Sequence, residues 1–134
     1  MIAAMAQRKL TLSILPEVFA ICQLERDAQI PEWASRGRFT STTRTADELS
    51  VVCLASAVPA GIRAQHNWRA LKVHGPFDFS EVGVLAALAA PLAEAGISLF
   101  SLATYDTDYV LVQERNLEAA LRALSGAGHR LAPP

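Results

Sequence analysis

Between Gly96 and Val112 the chain reads Gly-Ile-Ser-Leu-Phe-Ser-Leu-Ala-Thr-Tyr-Asp-Thr-Asp-Tyr-Val-Leu-Val, two apolar segments around a short polar bend. This pattern predicts one β-hairpin with Thr104, Asp106 and Asp108 crowded at its tip. Strands apolar on both sides must be covered on both sides, which demands a layered fold. A polar tip on a rigid apolar support is also well placed to hold a small polar ligand.

The flanking sequence completes a topology. Trp68 to His74 reads as a strand, and Gly75-Pro76 ends it. Phe77 to Ser80 leads into a helix, with Asp78 or Ser80 as N-cap and Glu81 adding negative charge to the first turn. Val82, Leu85, Leu88, Ala89 and Leu92 recur at helical spacing. Pro91 lacks an N–H and is expected to bend this helix near Ala87, and Gly96 is its C-terminal cap. Beyond the hairpin, Asn116 is the expected cap of a second helix with Leu117, Ala120, Leu121 and Leu124 on one face. Gly126 to Gly128 stops it, and residues 129–131 form a short last strand. The order β-α-β-β-α-β is the ferredoxin-like split βαβ, with an antiparallel sheet and both helices on one face. Its second strand, Ile97 to Ala103, lies at the sheet edge. An open apolar edge invites pairing, so it is expected to be covered by the first half of the chain or by a second copy.

The first half offers strands at 10–15, 18–24, 39–45 and 49–54. Residues 25–37 read as loop or a short helical turn, and 58–67 as a connector carrying Pro59 and Gly61. The boundary falls near residue 66. The expected architecture is α+β, a tandem of ferredoxin-like modules at 1–66 and 67–134, the first degenerate.

The chemistry-bearing residues exclude more than they assign. The 134 residues carry 12 basic and 13 acidic side chains and a net charge of −1, which gives no electrostatic case for nucleic acid or an anionic membrane. No apolar run reaches the length of a membrane span. Met1 to Lys9 lacks the order of a signal peptide, so the expected compartment is the cytoplasm. Cys22 and Cys53 sit inside apolar runs and read as buried thiols. His66, His74 and His129 fit no metal spacing and read as surface or strand-end residues. No nucleophile elbow or glycine-rich phosphate loop occurs, and no cofactor is expected. Asp106 and Asp108 could pair for acid–base work, but on a hairpin tip alone they lack a basic partner. What remains is the helix start near Ser80, the edge at Ile97 to Phe100, and the carboxylates Asp78 and Asp108. Free helix N–H groups suit a carboxylate, and edge carbonyls with an aspartate suit an ammonium. Those are the two ends of a free amino acid.

Four stretches carry a family resemblance: Thr43 to Val52, Trp68 to Val73, Ala90 to Val112, and Glu114 to Leu117. The chain resembles ACT-domain proteins, in particular those related to the cytosolic arginine sensors (the CASTOR family) and their short bacterial homologues. The resemblance implies a non-catalytic, amino-acid-binding regulatory protein with its ligand between modules. It places one half of the site at the helix start (Asp78, Phe79, Ser80, Glu81 and Val82) and the bend (Thr104 and Asp108). The other half is the strand Ile97, Ser98, Leu99 and Phe100. One good copy of each half in this chain implies a homodimer joined near residues 97–103. A structural or protein-interaction module with a vestigial site is the alternative. Asp78, where a sensor carries glycine, favours a cation.

Overall fold

The computed structural model describes residues 8–133, so the reading of Met1 to Gln7 lies outside them. The chain forms two compact units, Glu17–Trp68 and residues 8–16 with 69–133.

In Glu17–Trp68 the strands are β2 (Phe19–Leu24), β3 (Ser41–Arg44), β4 (Leu49–Leu54) and the first six residues of β5 (Arg63–Val73). They lie in the order β3-β4-β2-β5 with antiparallel ladders throughout. Numbered within the unit, that is the ferredoxin-like order 2-3-1-4. Both helices of the motif are reduced to single 3₁₀ turns, Glu32–Ser35 and Ala55–Ala57. The connector expected over 58–67 is shorter than that, because β5 already begins at Arg63. Its pairing with β2 shifts register beside Asn67, which holds a φ of 66°. This is a bulge, made with a residue type that tolerates the left-handed region. Ala20, Cys22, Leu49, Val51 and Cys53 form the small core with Ala34 of the 3₁₀ turn. Both thiols are free and buried. Burial, then the neighbouring Cys53, pushes the Cys22 thiol up to about 12.

The second unit takes residues 69–73 of β5, then α1 (Val84–Glu94), β6 (Phe100–Ala103), β7 (Asp108–Gln113), α2 (Leu117–Gly126) and β8 (Arg130–Leu131). This is the expected β-α-β-β-α-β trace. β6 pairs with β7 alone among the described residues, so the edge position stands, although the strand begins at Phe100 rather than Ile97. The partition at residue 66 needs correction. The first strand of the chain, β1 (Thr11–Ile14), belongs to this unit, antiparallel to β5 and parallel to β8. It is inserted between the strands that are neighbours in the simple motif, a non-local pairing that local sequence pattern does not encode. One core joins Leu10, Leu12, Leu71, Val73, Val110 and Val112 to Val84, Leu88 and Leu92 of α1 and Ala120 and Leu124 of α2. Both helices therefore bury against one sheet face.

Two local readings also change. The helix starts at Val84, not at Asp78 or Ser80, because Gly83 holds a φ of 84° and acts as the N-cap. Glycine reaches that conformation at little cost, and a helix cannot pass through it. Asp78 to Glu81 instead forms a turn closed by the Glu81 N–H on the Asp78 carbonyl at 3.0 Å. The second change concerns His129, which is 5% exposed rather than a surface histidine. Pro91 stays inside α1 and leaves the Ala87 carbonyl without its helical donor. His129 Nε2 lies 2.8 Å from that oxygen and so carries the proton, while Nδ1 accepts the Leu10 N–H at 3.0 Å. One imidazole thus repairs the helix and fixes the entry to β1.

Candidate functional site

A cleft of about 310 Å³ opens in the second unit, between the loop after β5 and the β6–β7 tip. Phe77, Asp78, Phe79 and Glu81 line one side, Ala103 to Asp108 the other, and Val84 contributes from the first turn of α1.

The tip is a self-capped turn. The Thr104 N–H donates to the Thr107 carbonyl at 2.8 Å, and the Thr104 hydroxyl bonds the same residue's carbonyl and N–H at 3.0 and 3.3 Å. Thr104 therefore holds the turn rather than offering a free hydroxyl. Thr107, 8% exposed, donates its hydroxyl to the Val73 carbonyl at 2.7 Å and pins the tip to the end of β5. The loop is tied back by the Phe77 N–H, which donates to the Asp106 carbonyl at 2.8 Å. Gly75 makes that approach possible. A Cβ there would stand 3.0 Å from the Asp106 oxygen and 3.1 Å from the Phe77 nitrogen, both backbone atoms.

Four acidic residues line this space, Asp78, Glu81, Asp106 and Asp108, with no lysine, arginine or histidine among the lining residues. A cavity lined this way attracts cations and repels anions. At its mouth the Phe79 and Tyr105 rings meet at 4.9 Å between centroids and 57° between planes, although 78% and 81% exposed. The exposed ring pair sets apolar surface beside a polar pocket. Arg8 reaches the same loop without being among the residues that line the cleft. Its guanidinium is 2.5 Å from Glu81, 3.3 Å from the Val82 carbonyl oxygen, and 5.2 Å above the Phe77 ring. The described residues hold no cluster of histidine, cysteine and carboxylate side chains suited to a metal ion.

The residues singled out from sequence divide into two groups. Asp78, Phe79, Glu81, Thr104 and Asp108 come together in the cleft, in one chain. Ser80 and Val82 do not line it, although Val82 is 63% exposed beside it. Ile97, Ser98, Leu99 and Phe100 lie apart from it. Ile97 is buried in the core and its N–H ends α1 on the Leu92 carbonyl, Ser98 is exposed, and Phe100 opens β6 opposite Leu111. Asp106, which the sequence leaves outside the candidate site, lines the cleft beside Asp108. Phe77, Tyr105 and Thr107 were passed over. The alternation at the tip was the available signal for Thr107, because it sits between two outward aspartates and must point the other way.

Comparison with known proteins places these features. Residues 63–126 match the family model described as ACT domain, and residues 17–61 match a separate model for an N-terminal domain. A crystal structure of a protein from Agrobacterium tumefaciens is 38% identical, superposes with a TM-score of 0.89, and is matched over 95% of both chains. The human cytosolic arginine sensor for mTORC1 subunit 1 is 36% identical over 58 residues, 42% of this chain and 18% of the sensor. Human CASTOR3P is 32% identical over 105 residues, 68% of this chain and 64% of its own. The chain thus spans a minor part of the arginine sensor's length. The ligand-free regulatory subunit of aspartate kinase from Thermus thermophilus shares the fold at 16% identity, with a TM-score of 0.58 over 87% of this chain and 97% of that one.

Proposed function

The chain belongs to the CASTOR-like family of ACT-domain proteins, and on that premise we propose that it is a non-catalytic regulatory protein that binds a free amino acid in the cleft of its second unit. The observation that supports this most is the gathering of Asp78, Glu81, Asp106 and Asp108 around one cavity without a lining cation. Its size of about 310 Å³ suits a small molecule rather than a peptide. The ammonium, or a cationic side chain, enters the cleft, since a carboxylate placed among four carboxylates is repelled.

The ligand carboxylate then needs donors from elsewhere. The edge segment of a second copy at Ser98, Leu99 and Phe100 supplies backbone N–H groups of the right chemistry, the Ile97 N–H being bonded to the Leu92 carbonyl, so the complete site is one cleft closed by a partner's edge. The exposed Phe79–Tyr105 pair at the cleft mouth supports a homodimer there. Both chains of such a dimer carry a cleft and an edge, which is how a symmetric pair uses one sequence twice. In this reading the protein acts in the cytoplasm and signals through binding alone.

A thermal-shift screen against the twenty amino acids tests the proposal. A ligand at 100 times its dissociation constant adds about 2.7 kcal/mol of stability. At least one amino acid is expected to raise Tm in the wild type and to lose that effect in Asp108→Ala. A flat response to all twenty at millimolar concentration contradicts it.

A further inference from the structure

We propose that Arg8 is a built-in competitor of the cleft, its guanidinium holding Glu81 until a cationic ligand takes its place. The inference rests on reading the cleft as a ligand site, and it concerns how that site is regulated.

Three contacts carry it. Arg8 is 2.5 Å from the Glu81 carboxylate, 3.3 Å from the Val82 carbonyl oxygen, and 5.2 Å above the Phe77 ring. A carboxylate, a carbonyl and an aromatic face are the groups that recognise a guanidinium. Glu81 and Phe77 both line the cleft. The chain therefore already presents a cation of its own to the cleft's walls.

The delivery of Arg8 is rigid. Lys9 Nζ bonds the Ala127 carbonyl at 2.6 Å, the Leu10 N–H is held by His129 at 3.0 Å, and the Leu10 carbonyl accepts the Arg130 N–H at 2.9 Å. The backbone beside Arg8 is anchored, so only its side chain has to move for Glu81 to be freed. The contact is also reversible. The Arg8 and Glu81 side chains remain 36% and 32% exposed, and an ion pair open to water is weak. The cleft is lined by Asp78, Asp106 and Asp108 as well as Glu81, whereas the carboxylate that Arg8 pairs with is Glu81. A cationic ligand can therefore displace it, and a neutral or anionic one gains nothing by doing so.

The test is an NMR titration of wild type, Arg8→Ala and Arg8→Lys with agmatine, a guanidine that has no carboxylate. Arg8→Ala is expected to bind agmatine more tightly than wild type, by up to about fivefold, with Arg8→Lys in between. Equal or weaker binding by Arg8→Ala overturns the proposal, since Arg8 would then be a bystander, a support for the loop or a partner for a ligand anion. No binding of agmatine by either protein overturns it too. The two readings fail separately. An amino acid that binds wild type and Arg8→Ala equally leaves the ligand site standing without the competitor. Tighter agmatine binding by Arg8→Ala with no amino-acid binding at all leaves the competitor without that class of ligand.

Discussion

The two β-x-β-β-x-β traces of this chain share a strand order, apart from β1 inserted between the first and last strands of the second, and differ in what they place between the strands. In Glu17–Trp68 the connections are residues 25–40 and 55–62, each with one 3₁₀ turn. In the second unit they are residues 74–99 and 114–129, and each holds an α-helix. A helix that covers a strand of about five residues must itself run about ten residues, with loops at both ends. Residues 55–62 have no room for that, while 25–40 are as many as 114–129 but carry Pro31 and Gly37, the latter at a φ of 89°, which break a helical run. Strand pairing therefore carries the topology, and the length of one connection and the composition of the other decide whether a helical layer is added to it.

The hairpin tips make the same point at finer scale. Thr45 and Thr104 each donate their N–H to the carbonyl three residues on, Glu48 at 2.9 Å and Thr107 at 2.8 Å, and each hydroxyl accepts backbone N–H groups of its own turn. Each turn has an aspartate at its third position, Asp47 or Asp106. Asp47 shares its small cavity with Glu25 and the cation Arg63. Asp106 shares its cleft with three more carboxylates and no lining cation. The same turn chemistry thus yields a pocket with a cation in its lining in one unit and one whose charged lining residues are all acidic in the other.

Four substitutions sharpen this contrast. The largest effect is expected at His129, which serves a helix that the first unit lacks. His129→Phe strands the Ala87 carbonyl and the Leu10 N–H, at a cost of about 2–4 kcal/mol in urea unfolding. Adding Pro91→Ala restores a donor to Ala87 and should recover part of that loss. Full stability in His129→Phe alone would break the account of α1. Next, Thr107→Val removes the bond between tip and β5 and should cost about 1 kcal/mol. Glu48→Gln, at the matching place in the other tip, should change stability by less than about 0.5 kcal/mol. Equal losses at the two tips would erase the distinction between them.

A further effect is alkaline. The folded Cys22 thiol titrates at about 12 against an ordinary value of 9.0, so the unfolded chain releases that proton first. Its contribution is complete below pH 9.0 and is lost as pH rises from there towards 12. Stability measured from pH 8 to 11 should fall more steeply in wild type than in Cys22→Ala.

What could be read from sequence follows the range of the interactions involved. The strands, the edge position of β6 and the β-α-β-β-α-β order rest on periodicity and turn residues, which are local. The insertion of β1 beside β8 rests on contacts across more than a hundred residues, and nothing in Leu10 to Leu15 announces it. His129 was misread for the same reason, since its partners, Ala87 and Leu10, are distant in the chain. The helix start was misplaced because Asp78 and Ser80 are both good caps, while Gly83 looked like helix interior. At the cleft, the carboxylates Asp78, Glu81 and Asp108 were legible as chemistry. The tie from Phe77 to Asp106, which brings the loop and the tip together, was not.

The most direct test maps the site. An amino acid that raises Tm, titrated into ¹⁵N-labelled protein, should shift signals from residues 77–84 and 103–108 and leave those of the matching turn, 45–48, in place. Shifts centred on 45–48, or spread across the protein with residues 77–84 and 103–108 unmoved, would contradict the assignment of the acidic cleft as the ligand site.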